Sequence, residues 1–240
     1  MLRTFKSSKA TLNGESVCRV TIVDDCSFGR IGLQRSLLEY ENGKRIDASV
    51  FETLRGPEPV IHSIKNGGES TLARGDNHLI IRLSKSPLDA LASLLSMGRM
   101  PLDIYSDIVV LSHVEPDFLK RIFLGAGLNR TVKILDDRLP TSVLCKAITQ
   151  QNQIGCSLQE NYFGATFQPS YIFSPGELRA LWYIINEVPM HNQVMHSGVS
   201  SKTLYNQRYT ALIKLRVRDV NDLISRLLNR RIFSLHDIRL

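Results

Sequence analysis

The chain has 240 residues, 43% of them hydrophobic and 22% charged, with a formal charge of +7. This is the composition of a soluble globular protein, long enough for two ordinary domains each with its own core. No apolar run approaches the ~20 residues that cross a bilayer, and no internal repeat or long low-complexity segment is present. The charge is unevenly placed. Residues 1–170 hold 20 Lys and Arg against 18 Asp and Glu, whereas residues 171–240 hold 10 against 5. A basic C-terminal part beside a near-neutral N-terminal one points to a polyanionic partner.

Residues 1–16, rich in Ser, Lys, Thr and Gly, predict a flexible leader. They lack the apolar stretch of a secretory signal, so a cytoplasmic, nucleoid-associated location is expected. Val17 to Val23 is an apolar, β-branched run that predicts a strand buried on both faces, and it ends in Asp24-Asp25. Phe28, Ile31, Leu33, Leu37 and Leu38 follow at helical spacing. Ala48 to Leu54 predicts a second strand. Segment 55–77, rich in Gly, Pro and Ser, predicts a short or distorted helix. Leu79 to Ile81 predicts a third strand, ending at Arg82. Ile108 to Leu111 predicts a fourth, ending at Ser112-His113. Thr131 to Leu135 predicts a fifth, followed by a helix from about Pro140 to Gln150. Strands separated by helical patterns argue for an α/β fold, a doubly wound five-stranded parallel sheet over residues 17–150. The four cysteines (Cys18, Cys26, Cys145, Cys156) show no C-x-x-C spacing and no paired histidine. They read as small buried hydrophobes, not zinc ligands.

Chemistry in such a sheet sits outside the carboxyl ends of its strands. Those ends carry Asp24 and Asp25, then Arg82, Ser112, and Asp136 with Asp137. Two adjacent carboxylates could hold a divalent cation. A phosphorylatable site would also need a carboxylate after the third strand and a cation after the fifth, and Arg82 and Asp136 invert both charges. The expectation is that the Arg82 guanidinium takes the cation's place and binds the acidic pair bidentately, with no metal or cofactor. The runner-up is residual metal binding at Asp24 and Asp25.

Residues 151–170, rich in Gln, Asn, Gly and Ser, predict a linker. Residues 171–240 predict a four-helix domain. Trp182 and Tyr183 fall on its first helix. Val188, Met190, Val194 and Met195 suggest a packing helix, Ser197-Gly198-Val199 a tight turn, and Ser200 or Ser201 the cap of the next helix. On that helix Leu204, Ala211, Leu212 and Leu215 form one apolar stripe, while Lys202, Tyr205, Asn206 and Tyr209 fall opposite. Helix, tight turn, polar helix is a helix-turn-helix arrangement. Asn can pair bidentately with adenine in the major groove. Lys202, Arg208 and Lys214 would add salt-sensitive attraction to phosphates, with Arg208 nearest the apolar stripe. Asp219 is the expected cap of a last helix whose Val220, Leu223, Ile224, Leu227 and Leu228 close the core, pair two such domains, or both. His191, His196 and His236 form no ligand spacing. With no Ser/His/Asp arrangement and no G-x-x-x-x-G-K, an enzyme is the least expected class.

These strings resemble a known family. V-T-I-V-D-D at 20–25 with R-I-G-L at 30–33 resembles the opening of a response-regulator receiver domain. L-I-I-R-L-S-K-S-P at 79–87 is similar to the family's third strand and following loop, with Arg82 where the family carries its phosphoacceptor aspartate. V-V-L-S at 109–112 is similar to the fourth strand and its hydroxyl, here Ser112. K-I-L-D-D at 133–137 is similar to the fifth, with Asp136 about where the family keeps a lysine. From Phe173 to about Leu228, F-S-P-G-E-L, S-K-T-L and K-L-R-V resemble the LuxR/NarL-type DNA-binding domain. K-T-L-Y-N-Q-R-Y-T-A-L-I-K-L is most similar to the Rcs capsule regulators of enteric bacteria, and C-S-F-G-R-I-G-L at 26–33 to their auxiliary member with a degenerate receiver. The resemblance implies Lys202 and Thr203 near the phosphate backbone, and Tyr205, Asn206 and Tyr209 at base edges. It implies a non-phosphorylatable DNA-binding transcription regulator, acting as a homodimer or as a heterodimer with an Rcs-type response regulator. The segment between Val194 and Ser200 is a residue short for the family. This leaves as the alternative an interaction-only modulator of another response regulator.

Overall fold

The computed structural model describes residues 17–40, 45–54, 77–128, 130–149, 161–163 and 171–228. The expected leader, Cys156 and His236 lie outside them, as does the segment 55–77 apart from Asn77, which opens a strand.

The N-terminal part alternates strand and helix. β1 (Val17–Val23), α1 (Ser27–Leu38), β2 (Arg45–Phe51), β3 (Asn77–Arg82), α2 (Pro87–Met97), β4 (Asp107–Leu111), α3 (Pro116–Gly125), β5 (Val132–Leu135) and α4 (Thr141–Thr149) follow in order. A short β6 (Asn161–Phe163) comes next. The sheet order is β2-β1-β3-β4-β5-β6. The first five strands are parallel in the 2-1-3-4-5 order of flavodoxin-like sheets. Strands buried on both faces read as continuous apolar runs because helices cover each side. Thus Ile80 packs on one face with Val20, Ile22, Leu33, Leu37 and Leu144, while its neighbours Leu79 and Ile81 pack on the other with Leu91, Leu94, Phe118 and Phe123.

Two expectations need correction. The sheet has six strands: β6, inside the expected linker, pairs antiparallel with β5. An edge strand presents a row of unpaired backbone groups, and β6 covers the edge of β5. Three residues carry no periodicity from which to read this. The second strand begins earlier than Ala48, because all seven residues of β1 find partners from Val17↔Arg45 to Val23↔Phe51. The apolar Val50, Phe51 and Leu54 pull a sequence reading toward the C-terminus, whereas backbone pairing sets the strand. Among the described residues, an apolar cluster on one face of the sheet continues into the C-terminal helices. It runs from α2 and α3 into Phe173, Leu181, Ile184, Leu212, Leu223 and Leu227.

The C-terminal part contains α5 (Pro175–Ile185), α6 (Met190–Ser197), α7 (Ser201–Lys214) and α8 (Val220–Leu227). α5 starts at a capping box, Ser174 Oγ accepting from the Glu177 N–H and Glu177 accepting from the Ser174 N–H. Asp219 caps α8, accepting from the Asp222 N–H at 2.8 Å. α2 meets α5 and α8. At the same junction the Arg226 guanidinium sits 5.7 Å from the centre of the Phe118 ring. The second function considered for the last helix, pairing of two domains, therefore competes with its packing on α2. No described helix is long and apolar enough to cross a membrane.

Candidate nucleic-acid interface and the carboxyl end of the sheet

α7 takes its orientation from the turn before it. Gly198 adopts φ 66° and returns its N–H to the Val194 carbonyl at 3.1 Å, ending α6. That left-handed conformation favours glycine, which has no Cβ to clash. Residues 198–200 form the whole connection. Ser200, not Ser201, is the cap: its Oγ accepts from the Thr203 N–H at 3.2 Å, and the two hydroxyls lie 2.9 Å apart. Leu204, Ala211, Leu212 and Leu215 are all buried. Lys202, Tyr205, Asn206 and Tyr209, at i, i+3, i+4 and i+7, are exposed together on one face. The tyrosines are 57% and 63% exposed, which is far from the packing role an aromatic ring usually takes.

The other predicted positions separate from this group. Thr203 is exposed, with its hydroxyl tied to the cap. Arg208 is half-buried. Lys214 is withdrawn from the face: its ammonium donates to Glu177 at 2.7 Å and to the Ile172 carbonyl at 2.7 Å. Glu177 is buried, so Lys214 neutralises a carboxylate that would otherwise be stranded. Helical spacing places Lys214 near the surface but says nothing about an acid on another helix. α6 also differs from expectation. Met195 is 81% exposed and Gln193 is the buried residue, its amide donating to the Val188 carbonyl at 2.6 Å. A glutamine can enter a core once its N–H is satisfied, a condition hydropathy does not register.

At the other candidate site, Asp24 is 1% exposed at the end of β1. The pairing Val23↔Ile81 brings the next residues, Asp24 and Arg82, side by side. Arg82 Nη1 donates to Asp24 Oδ2 at 3.1 Å, the Cys26 N–H to Oδ1 at 2.9 Å, and Arg30 to the Asp24 carbonyl oxygen at 2.6 Å. Burial pushes the Asp24 carboxyl above its usual range, against the pull of the Cys26 N–H and Arg82. The expected bidentate grip on both carboxylates is replaced by one contact to Asp24. Asp25 is exposed, and Arg82 Nε is buried without a hydrogen-bond partner among the described residues. Ser112, 3% exposed, accepts from the Val114 N–H at 3.0 Å. Asp136 is held below the ordinary carboxylate range, first by hydrogen bonds from the Arg138 side chain, at 2.9 and 2.7 Å. Arg30 and Arg138 were not singled out from the sequence. Arg30 is half-buried and Arg138 exposed; each lies close in sequence to the aspartate it contacts, and only the local turn shows the contact. Among the described residues no three His, Cys, Asp or Glu side chains converge as a metal site.

No protein-family model and no curated protein matches the chain. Solved structures that resemble it include RcsB from Salmonella enterica serovar Typhimurium bound to promoter rprA, with 18% identity, coverage of 88% of this chain and 98% of that one, and a TM-score of 0.44. An RcsB–DNA complex, described as a two-component response regulator, shares 20% identity over 88% and 98%, with a TM-score of 0.46. The response regulator ChrA of a heme-sensing two-component system shares 15% over 90% and 98%, with a TM-score of 0.32. Similarity this low leaves the functional reading to rest on the side chains.

Proposed function

We propose that this chain is a sequence-specific DNA-binding transcription regulator whose receiver-like domain does not accept a phosphoryl group. It is not an enzyme. The observation that carries the reading is the exposed face of α7. A capped helix, set by a left-handed glycine turn, presents Lys202, Tyr205, Asn206 and Tyr209 together on the basic third of the chain. Inserted in the major groove, Asn206 pairs with a base edge, the tyrosines lie beside it, and Lys202 meets the backbone. The three-residue connection through Gly198 is an ordinary length for a helix-turn-helix, which supports this over the interaction-only alternative. Lys214 has no part in it, and Arg208 stands at its margin.

The regulator acts as a dimer, of itself or with a phosphorylatable Rcs-type partner, placing two recognition helices about 34 Å apart along the duplex. Its similarity to the auxiliary Rcs regulator favours the mixed dimer, with activity set by abundance. Selection of duplexes from a random pool by the full-length protein, alone and with an Rcs-type regulator, tests the reading. An enriched motif is expected. Asn206→Ala should weaken binding to that motif by about tenfold and leave non-motif DNA unaffected. Lys202→Ala should lower affinity for all duplexes and reduce the salt slope by about 0.9. Absence of any enriched motif in both selections would sink the proposal.

At the phosphorylation end, Arg82 stands where an acceptor carboxylate would be needed and is paired to Asp24. Acetyl phosphate should therefore leave the chain unlabelled by intact mass. Covalent incorporation abolished by Asp24→Asn would contradict this.

A further inference from the structure

Tyr205, Tyr209 and Ile213 stand at i, i+4 and i+8 and form one ridge along α7. The three side chains are 57%, 63% and 51% exposed. At 3.6 residues per turn they share, with Lys202 and Asn206, an arc of about 100° of the helix surface. Ile213 was not singled out from the sequence, although its spacing from Asn206 and Tyr209 puts it within that arc. Large apolar groups lined up at the surface mark a contact. Residues 171–240 carry 10 Lys and Arg against 5 Asp and Glu, so the surface that suits this ridge is anionic.

The floor of the major groove limits what such a ridge can meet. Every base edge there offers hydrogen-bond donors or acceptors, and the one apolar group is the methyl of thymine. An apolar side chain laid on a donor or acceptor strips its water and returns no hydrogen bond. Laid on a methyl, it removes apolar surface from water on both partners. The polar members of the face agree with this. Asn206 suits adenine, the partner of thymine. Arginine, the usual reader of guanine, is absent from the arc: Arg208 lies at its margin and is half-buried. Thr210 turns back on the helix, its hydroxyl donating to the Asn206 carbonyl at 2.9 Å.

On the premise that α7 enters the major groove, we propose that the ridge of Tyr205, Tyr209 and Ile213 reads thymine methyl groups. The target is then a half-site in which at least two A·T pairs put thymine under the ridge, beside an adenine paired to Asn206. Along the axis the ridge spans about 12 Å, which covers between about three and four base-pair steps. Each methyl covered by an apolar side chain strengthens binding about fourfold. Ile213 is thereby a specificity-determining residue of the same face.

The test replaces single thymines of the selected duplex motif by deoxyuridine, which removes the methyl and keeps every hydrogen-bonding group. Affinities of the full-length protein are measured by fluorescence anisotropy at fixed salt, with the Rcs-type regulator present if the motif was selected only in its presence. At two or three positions uracil should weaken binding about fourfold. Tyr205→Ala, Tyr209→Ala and Ile213→Ala change exposed side chains. Each should bring the cost of uracil at one of those positions below about 1.5-fold, whatever it does to overall affinity. A general loss of binding moves both duplexes alike and leaves this ratio unchanged. A cost below about 1.5-fold at every thymine would overturn the proposal and leave the DNA-binding reading standing, with the ridge free for a protein surface. Full uracil costs in all three variants would overturn it as well, since the methyls would then be read by other residues. Failure to select any motif would remove both readings together.

Discussion

Replacing Gly125 by alanine is expected to lower the unfolding free energy by about 3 kcal/mol, the upper end of ordinary overpacking. Gly125 is the last residue of α3 and is buried. A Cβ at this position would stand 2.2 Å from Phe173 Cε2 and 2.4 Å from Cζ. The ring cannot simply retreat. Phe173 is 3% exposed, and its N–H donates to the Gly125 carbonyl at 2.7 Å, fixing the backbone on both sides of the clash. Alanine in place of glycine would favour the helix by about 1 kcal/mol, too little to offset a steric conflict with a fixed ring. Phe173→Ala alone should cost about 3–4 kcal/mol through lost burial and the cavity it leaves. The two losses have the same origin, so the double variant should be about 2 kcal/mol more stable than their sum. Urea unfolding followed by Trp182 emission measures all three variants. Additive losses, within about 0.5 kcal/mol, would mean that Gly125 and Phe173 do not meet.

Arg82→Ala should destabilise the protein by about 3 kcal/mol at neutral pH, because it leaves a buried carboxylate without its cation. The loss should depend on pH in a defined sense. Burial has already raised the Asp24 pKa above its unfolded value, and removing Arg82 raises it further. A raised carboxyl means that the folded state holds the proton more tightly than the unfolded state does. Stability is then greatest below the unfolded pKa and falls as pH rises through the folded one. The variant extends this fall to higher pH, so its deficit should shrink in acid, below about pH 4, and be full near pH 7. Thermal melts of both proteins across this range measure it. A deficit that stays constant with pH would mean that Arg82 contributes packing and not charge.

The C-terminal helices were largely legible because their signals are local. The 3.6-residue spacing of Leu204, Ala211, Leu212 and Leu215, the serine before them and the glycine before that lie within about five turns of chain. The exposed face of α7 follows from the same spacing. The partner of Lys214 was not legible, since Glu177 lies on another helix and nothing in the sequence relates the two. Nor was the burial of Gln193, which depends on the Val188 carbonyl being within reach.

In the sheet, the apolar β-branched runs of β1, β3, β4 and β5 are determined by the sequence alone, and with them the doubly wound α/β class and the acid–arginine meeting at the strand ends. Each of these depends on residues adjacent in the chain or on a pairing that buried strands impose. Tertiary structure alone decided the start of β2, the antiparallel β6, the single contact between Arg82 and Asp24, and the core shared by α2, α5 and α8. Those features arise from surfaces contributed by segments far apart in the chain. Their energies depend on how these surfaces fit, and no local pattern encodes that fit.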